Sequence, residues 1–583
     1  MNAAVATAIA FAVYAAGYLF YSRYLARRVF ELRDDVATPA HEQRDGVDYV
    51  PTRPAVLFGH HYASIAGLAP MLGPAVAVIW GWFPAMAWVV LGALFVGCVH
   101  DMGSLVLSIR ARGMSIGKVA EGIIGRRAKT LFHIIIFFLV ALAMGVFVFV
   151  IAFLLSPPTE AAQDSIRYPN AAFPSFGLML IAAAIGFLGY KKGISWKILT
   201  PIGFALLLVL TYLASLDPVI EFLRIADPSI APGVDGWSMI LLGYALVACV
   251  LPVWTLLQPR DFLNCLLLYL GLGTLYLGVF VLQPDFVAPA VQLEPEGAPN
   301  MFPFVFIIIA CGAASGFHSL VASGTTAKQL DNETDARPIG YGGMIGESLL
   351  GLIAVLATTA GLLTVGEWNE TYAHWSGVQE LGVTVALFID GCTTFLEALG
   401  LDRHLGGTFI SLIVVSYALT SLDSATRLLR YNVEEISETL GVEILQNRFL
   451  SSLIAVGAIG FFAFYEVDGE SAGLALWALF GTTNQLMASL ALMAITLYLL
   501  MRDKPWYVAG IPAIAMFGTT ITAMTTNTLG FIDDSSWLLA TVGSVLLVLA
   551  VWVAVESVLA LRRHLKDGTV IEDLAVFPDA ENE

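Results

Sequence analysis

Charged side chains are scarce in this sequence. Asp, Glu, Lys and Arg make up 13% of its 583 residues, whereas 58% are hydrophobic and the mean hydropathy is +0.79. Soluble globular domains carry about 25% charged residues, so this composition excludes a soluble globular protein. The apolar runs are continuous over about 20 residues, whereas membrane β-barrel strands alternate over about 10. The composition predicts an all-α polytopic membrane protein that contacts lipid along its length.

Cysteine is also rare, and the sequence lacks the common motifs of enzymes and ATP-driven pumps. The five cysteines include no C-x-x-C pair, which argues against a disulfide framework or a zinc site. The patterns G-x-x-x-x-G-K-[ST] and H-E-x-x-H are both missing. We therefore expect no cofactor, no metal centre and no enzymatic activity.

Acidic residues outnumber basic ones, and the net charge is −17. This balance argues against nucleic acid as a partner, because nucleic-acid binding needs basic surfaces. The last residues, 566–583, are polar and acidic, a composition typical of a disordered tail. Nothing in the sequence indicates the oligomeric state.

Basic residues alternate between the loops in the way that the positive-inside rule describes. Arg23, Arg27 and Arg28 follow the first apolar run, which places the N-terminus outside. Residues 380–400 carry Asp390 and Glu397 and are predicted to form a helix that does not cross the membrane. The count is then about fifteen transmembrane helices, with a cytoplasmic C-terminus.

The apolar run 62–80 is rich in residues that interrupt helices. Unwinding there would expose backbone N–H and C=O groups, which lipid cannot satisfy, so a broken helix at this depth indicates a binding site. The other interpretation is a kinked but continuous helix that packs through its glycines. The residues expected to bind substrate here are Gly67, Ala69, Pro70, Gly73 and Pro74.

A second interrupted run, 237–257, contains Pro252 and lies five spans later with the opposite direction. Two such segments are the signature of a 5+5 inverted repeat, with Pro252 and Trp254 facing the first break. The sequence then divides into an N-terminal helix and loop at 1–57, repeats at 58–215 and 216–431, C-terminal helices at 432–565, and the tail.

Hydroxyl groups line one face of the predicted span 301–323. Ser315, Ser319 and Ser323 are spaced i, i+4 and i+8, and His318 lies on the adjacent row. Oxygen ligands suit a small hard cation such as Na⁺, and the histidine could carry a proton. Close helix packing through small residues, with serines bonding their own helix, is the alternative.

Carboxylates also occur within spans, where a charge is costly and must be paired or face inward. Asp101 follows His100, and Glu347 stands near the start of another span. Both are candidates for a coupling proton. Asp101 could instead pair with His100 or a loop arginine, and Glu347 could mark the membrane interface.

Other polar residues favour structural roles. Asp423 and Arg427 stand at i and i+4, the spacing of an ion pair within one helix. Asn484 and Gln485 interrupt an apolar run, where amides commonly join helices, although they could also line a cavity.

Four stretches resemble the carbon starvation protein A (CstA) family. They are A-G-L-A-P-M-L-G-P-A at 66–75, A-S-G-F-H-S-L-V-A-S-G-T-T-A-K-Q-L-D-N-E-T-D-A-R-P-I-G-Y-G at 314–342, L-D-S-A-T-R-L-L-R-Y at 422–431 and L-F-G-T-T-N-Q-L at 479–486. The stretch L-P-V-W-T-L-L-Q-P-R-D at 251–261 also fits. The chain has H-D at 100–101 where family members often have Q-D. The resemblance implies an inner-membrane secondary transporter with a LeuT-like core, used for peptide or pyruvate uptake during carbon starvation.

We therefore expect an importer that works by alternating access and is coupled to H⁺ or Na⁺. Its substrate carboxylate would be held by N–H groups at the break. Asp101, His318, Glu347 and the three serines are the candidates for the coupling ion. The alternative function is a membrane receptor that senses a metabolite without moving it.

Overall fold

A computed structural model describes residues 1–46, 48–158, 167–252, 254–362, 364–378, 381–467, 470–471 and 473–567. The expectation of an all-α chain is confirmed: long helices make up the described part, and its strands are the two-residue pair β1 (Glu466–Val467) and β2 (Glu470–Ser471). The acidic tail from 568 onward lies outside the described residues, so its predicted disorder stays a prediction.

Apart from the four-residue helix Pro39–Glu42, the described part of the first half forms eleven helices. They are α1 (Ala3–Val29), α2 (Pro54–Ile65), α3 (Ala69–Trp80), α4 (Trp82–Arg110), α5 (Ile116–Ile123), α6 (Arg126–Leu155), α7 (Pro169–Lys191), α8 (Trp196–Ala214), α9 (Asp217–Leu223), α10 (Val234–Val250) and α11 (Leu257–Leu282).

The second half continues with eleven more. They are α12 (Met301–Ile308), α13 (Ala310–Ala313), α14 (Phe317–Val321), α15 (Glu333–Ala360), α16 (Val365–Tyr372), α17 (Leu381–Glu397), α18 (Arg403–Leu440), α19 (Arg448–Ala463), α20 (Gly473–Leu500), α21 (Tyr507–Asp533) and α22 (Trp537–Asp567).

By length and composition, 11 helices of the described chain could cross a membrane, or up to 12 when the bent pair α2–α3 counts as one span. Two shorter apolar helices, α10 and α19, lie among them. The chain is therefore a multi-pass membrane protein. The larger count of about fifteen crossings stays a prediction, because it also includes short and interrupted helices.

The predicted interruption of the run 62–80 exists, but it is confined to the start of that run and does not include the prolines. The helix begins at Pro54 rather than 62, and α2 and α3 are bent by 48° at residues 66–68. Pro70, Gly73 and Pro74 are helical. Pro70 stands at the second position of α3. In the first turn of a helix the backbone N–H groups have no acceptor within the helix, so the missing N–H of proline breaks no hydrogen bond and Pro70 is compatible with a helix start.

The second predicted interruption is wrong in position. Helix α10 ends at Val250, Leu251 is extended, and Pro252 lies in the connection to α11. A proline disfavours the helical conformation in the residue before it, which ends α10 at this point. The interrupted segment is instead α12–α14, where Ala314 is extended with φ −162° and ψ 120°.

The two interrupted segments pack against each other in opposite directions. Helix α3 contacts α12 and α13, whereas α2 contacts α14. Because α3 follows α2 while α12 precedes α14, the segments are antiparallel. Their backbones are close: a Cβ atom on Gly73 would lie 2.3 Å from the carbonyl oxygen of Ile308. Gly73 therefore permits this packing, rather than unwinding the helix.

The variant Gly73→Ala tests this close approach. We expect it to lower stability by about 1–3 kcal/mol, since the methyl group must push two helices apart. Gly243→Ala is the matched control, because Gly243 is helical and has no atom within 4 Å of an added Cβ. Thermal unfolding in detergent measures both. Equal midpoints for the two variants would contradict the packing described.

Candidate functional site

A cluster of carboxylates and imidazoles lies where α4, α14 and α15 meet. The Nδ1 atom of His318 is 2.7 Å from Oδ2 of Asp101, and its Nε2 atom is 2.8 Å from Oε2 of Glu347. His100 contacts the other Asp101 oxygen through Nδ1, at 2.7 Å. All four residues are fully buried. The structure thus brings together three of the side chains that the sequence singled out.

The backbone around His318 is held by Asn484 on α20. The Asn484 carbonyl oxygen accepts a hydrogen bond from the Gly316 N–H at 3.2 Å, and its side-chain oxygen accepts one from the Phe317 N–H at 3.0 Å. The interruption at 314–316 leaves these N–H groups without helical partners. Asn484 supplies the missing hydrogen-bond acceptors, and so fixes the start of α14 and the position of His318.

The other interrupted helix approaches the same cluster through His61 on α2. Its Nδ1 atom is 2.8 Å from the Thr326 hydroxyl, and its ring packs on Gly343, one turn before Glu347. The break that follows α2 is equally crowded: a Cβ atom on Gly67 would lie 2.4 Å from Oγ of Ser421. Both interruptions therefore lie next to elements that carry the cluster.

The two carboxylates of the cluster differ in the contacts that compensate their charge. Asp101 accepts contacts from two imidazoles, whereas Glu347 contacts one imidazole and its Oε1 atom has no hydrogen-bond partner among the described residues. A buried charge without compensation is strongly unfavourable, so gain or loss of one proton here must be balanced by a rearrangement. Glu347 is the carboxylate with the fewest compensating contacts.

The serine row does not form a continuous face. Ser315 lies in the interruption and hydrogen bonds with Asn484, whereas Ser319 donates to the Gly316 carbonyl. Ser323 donates to the carbonyl of Ser319 and accepts from the Ile116 N–H. Each hydroxyl has its own partner: the break at 314–316 separates Ser315 from the other two, and Ser319 and Ser323 bond carbonyls of their own segment.

The expected substrate residues separate into two groups. Those near the first break, Gly67 to Pro74, are buried, and α3 packs against α12, α13, α15 and α17. Trp254 follows Pro252 in the α10–α11 connection and instead contacts the end of α7, with its ring 5.9 Å from that of Tyr190 and 5.2 Å from Nζ of Lys191. Among the described residues, no hydrogen bond or ion pair joins this connection to the buried cluster.

A second buried ionic network was not predicted. Arg260 on α11 pairs with Asp423 on α18, and both contact the Tyr244 hydroxyl on α10, at 2.6 and 2.5 Å. Asp261 lies 3.1 Å from Nδ1 of His60 on α2. The sequence pattern pairs Asp423 with Arg427, but Arg427 instead donates to the carbonyls of Ala248 and Leu251.

His60 and His61 are the residues from which the sequence could have predicted these contacts. They stand together in an otherwise apolar stretch. The sequence interpretation began the span at 62 and so left both outside it. Polar residues within a membrane segment indicate function, and extending the helix to Pro54 would have included them.

Comparison with known proteins identifies the relatives of this chain. The family model for carbon starvation protein CstA matches residues 2–386 and 364–523. The chain belongs to the CstA family.

Relatives in this family carry names of transporters. A peptide transporter CstA of Helicobacter pylori strain J99 is 32% identical, covering 87% of this chain and 79% of that protein. A peptide transporter CstA of Mycobacterium tuberculosis strain H37Rv is 32% identical, covering 90% and 75%. The pyruvate/proton symporter BtsT of Escherichia coli K12 is 31% identical, covering 88% and 80%.

Among solved structures, a manganese transporter of Eremococcus coleocola is similar at 14% identity and a TM-score of 0.43, covering 89% of this chain and 99% of that one. A score at this level does not establish a common fold.

The variant Arg260→Met tests the second network. We expect it to cost about 3–5 kcal/mol, because Asp423 would remain as a buried charge without its partner. The matched control is Arg403→Met. Arg403 also bridges two carboxylates but is half exposed, so its loss should cost about 1 kcal/mol or less. Thermal unfolding in detergent measures both, and similar losses for the two variants would contradict a structural role for the network.

Proposed function

We propose that this chain is a secondary active importer of small carboxylates, either short peptides or pyruvate, and that a proton bound at Asp101, His318 and Glu347 drives uptake. The observation that supports this most is the fully buried cluster between two antiparallel interrupted helices. Family relatives named for peptide transport and for pyruvate/proton symport agree with it.

The proposed mechanism is alternating access. A proton neutralises the cluster and lowers the cost of moving its helices, so that the loaded site can open to the other side. In the empty transporter the unprotonated cluster must recover its ion-pair contacts before it moves. Because the helices move only when the cluster is protonated or its ion pairs are formed, each transport cycle releases one proton on the inner side.

The proposed substrate site is the break at 66–68 and the start of α3. A helix N-terminus presents free N–H groups and a partial positive charge, both of which suit a carboxylate. Gly67, Ala69 and Pro70 are at this point, and Ser421 beside them has a hydroxyl with no hydrogen-bond partner among the described residues. Gly73 and Pro74 follow one turn later.

Na⁺ remains the alternative coupling ion. Ser315, Ser319 and Ser323 would then supply oxygen ligands together with backbone carbonyls, once their present hydrogen bonds are released. The experiment below distinguishes the two ions by imposing each gradient alone.

We further propose a LeuT-like inverted arrangement in which α2–α3 and α12–α14 are corresponding elements of the halves 58–215 and 216–431. Six helices of 16 residues or more separate them, two more than a plain five-helix repeat requires, so α10 and α11 would be additions. Helix α17 would stay at the outer side. The chain would lie in the inner membrane with about fifteen crossings, an external N-terminus and a cytoplasmic C-terminus.

Uptake into proteoliposomes tests this function. Either labelled pyruvate or labelled di- and tripeptides should accumulate under an imposed proton gradient and fail to accumulate under a Na⁺ gradient alone. Glu347→Gln should reduce accumulation at least tenfold, since an amide at this position cannot exchange the proton. The control Asp503→Asn removes an exposed loop carboxylate and should match the unaltered protein.

Two results would contradict the proposal. Absence of uptake for all substrates under both gradients would remove the transport function. Normal proton-driven accumulation by Glu347→Gln would remove the assignment of the coupling site.

A further inference from the structure

A polar cavity lies at the end of the protein that the basic loops assign to the cytoplasm. Its volume is about 510 Å³, within the range of small-molecule sites. Helix α5, the end of α18 and the turn after α14 surround it. Its charged and titratable lining residues are Lys118, His133, Lys328, Glu434, Glu435 and Glu438.

The cavity lies next to the segment that carries His318. Ser323 lines the cavity and follows His318 by five residues, which corresponds to about 7 Å along a helix axis. The Ser323 hydroxyl accepts a hydrogen bond from the Ile116 N–H at 3.0 Å, where α5 begins. The cavity is thus adjacent to the buried cluster, on the side that the basic loops assign to the cytoplasm.

Most charges in the cavity already have partners. Lys118 lies 3.9 Å from Glu438, Lys328 stands over the ring of Tyr49, and Glu434 is 3.3 Å from Arg430. Glu435 differs: no lysine or arginine nitrogen lies within ion-pair distance of it in the described structure. Its recorded contacts are with the Ser115 hydroxyl and with His133, both at 3.2 Å.

His133 makes this corner a built site rather than a solvated surface. Its side chain is almost fully buried, and its Nδ1 atom is fixed by Asn432 at 2.7 Å. Its Nε2 atom points at Glu435 but makes no hydrogen bond of good geometry. The site therefore holds a carboxylate and an imidazole with unused bonding capacity, near the end of α18, where a helix favours positive charge.

We propose that Glu435, with His133, binds the primary ammonium group of a short peptide at the cytoplasmic side of the transport path. The inference rests on the proposed transport function and adds a choice of substrate. Glu435 has no lysine or arginine partner among the described residues, so its corner of the cavity opposes a simple anion such as pyruvate. A zwitterion can instead place its ammonium on Glu435 and its carboxylate toward Lys328.

Calorimetric titration of the purified protein in detergent tests this site. The probes are L-alanyl-L-alanine, its N-acetylated form, which lacks the ammonium group, and pyruvate. We expect Glu435→Gln to weaken dialanine binding at least tenfold, because a charge-assisted hydrogen bond is lost. Glu435→Asp should restore most of the affinity, and Asp503→Asn should leave it unchanged. Gel filtration and thermal unfolding verify that each variant is folded.

Acetylation gives the sharper comparison. In the unaltered protein, acetylation of the peptide should weaken binding about as much as Glu435→Gln does. In the Glu435→Gln variant, acetylation should have little further effect, because both changes remove the same contact between the ammonium group and the carboxylate. Any of three results would overturn the inference: no binding of dialanine, equal binding of the acetylated form, or an unchanged affinity in Glu435→Gln.

The titration requires no gradient, so it separates the two proposals. Failure of proteoliposome uptake would remove the transport function, whereas dialanine binding would still report on Glu435. Unchanged dialanine binding in Glu435→Gln would remove this site and leave proton-driven uptake standing.

Discussion

The cost of burying charge within a membrane governs this structure. His318 lies between Asp101 and Glu347, with no exposed surface on any of the three. Ionised groups at such depth are tolerated only when they are paired, and each partner here comes from a different helix. Helices α4, α14 and α15 are thus held together by contacts whose strength changes when one proton arrives or leaves.

The interruptions supply the backbone groups that this arrangement needs for transport. Continuous helices would satisfy all their N–H and C=O groups internally and leave none for a solute. Asn484 satisfies part of the break before α14, whereas Ser421 faces the break before α3 with an unused hydroxyl. The Arg260–Asp423 pair lies outside this centre and fastens α10, α11 and α18 around it.

The sequence predicted the class of protein, the polar residues of the cluster and the existence of a break near Gly67. Those features are local: continuous apolar runs, titratable groups inside them, and glycine next to proline. It could not show that Asp101 meets His318, because 217 residues separate them in the chain. Pairing at that distance depends on the packing of helices, which one sequence does not reveal.

The misplaced second break has a physical explanation. Pro252 signals the end of a helix, but the signal is the same whether the chain then continues the span or turns back. The true interruption at 314–316 contains Ala, Ser and Gly and no proline, so its only local sign is a cluster of small residues. His60 and Arg260 were missed for a related reason, since both stand near predicted span ends, where a polar residue is ordinary.

Infrared difference spectroscopy on the purified protein tests the central claim most directly, since it detects the carbonyl band of a protonated carboxylic acid. A titration in which the cluster takes up a proton should produce such a band, shielded from rapid deuterium exchange, and Glu347→Gln should abolish it. A band that persists unchanged in Glu347→Gln, or the absence of any buried carboxylic acid band at every pH, would contradict the account.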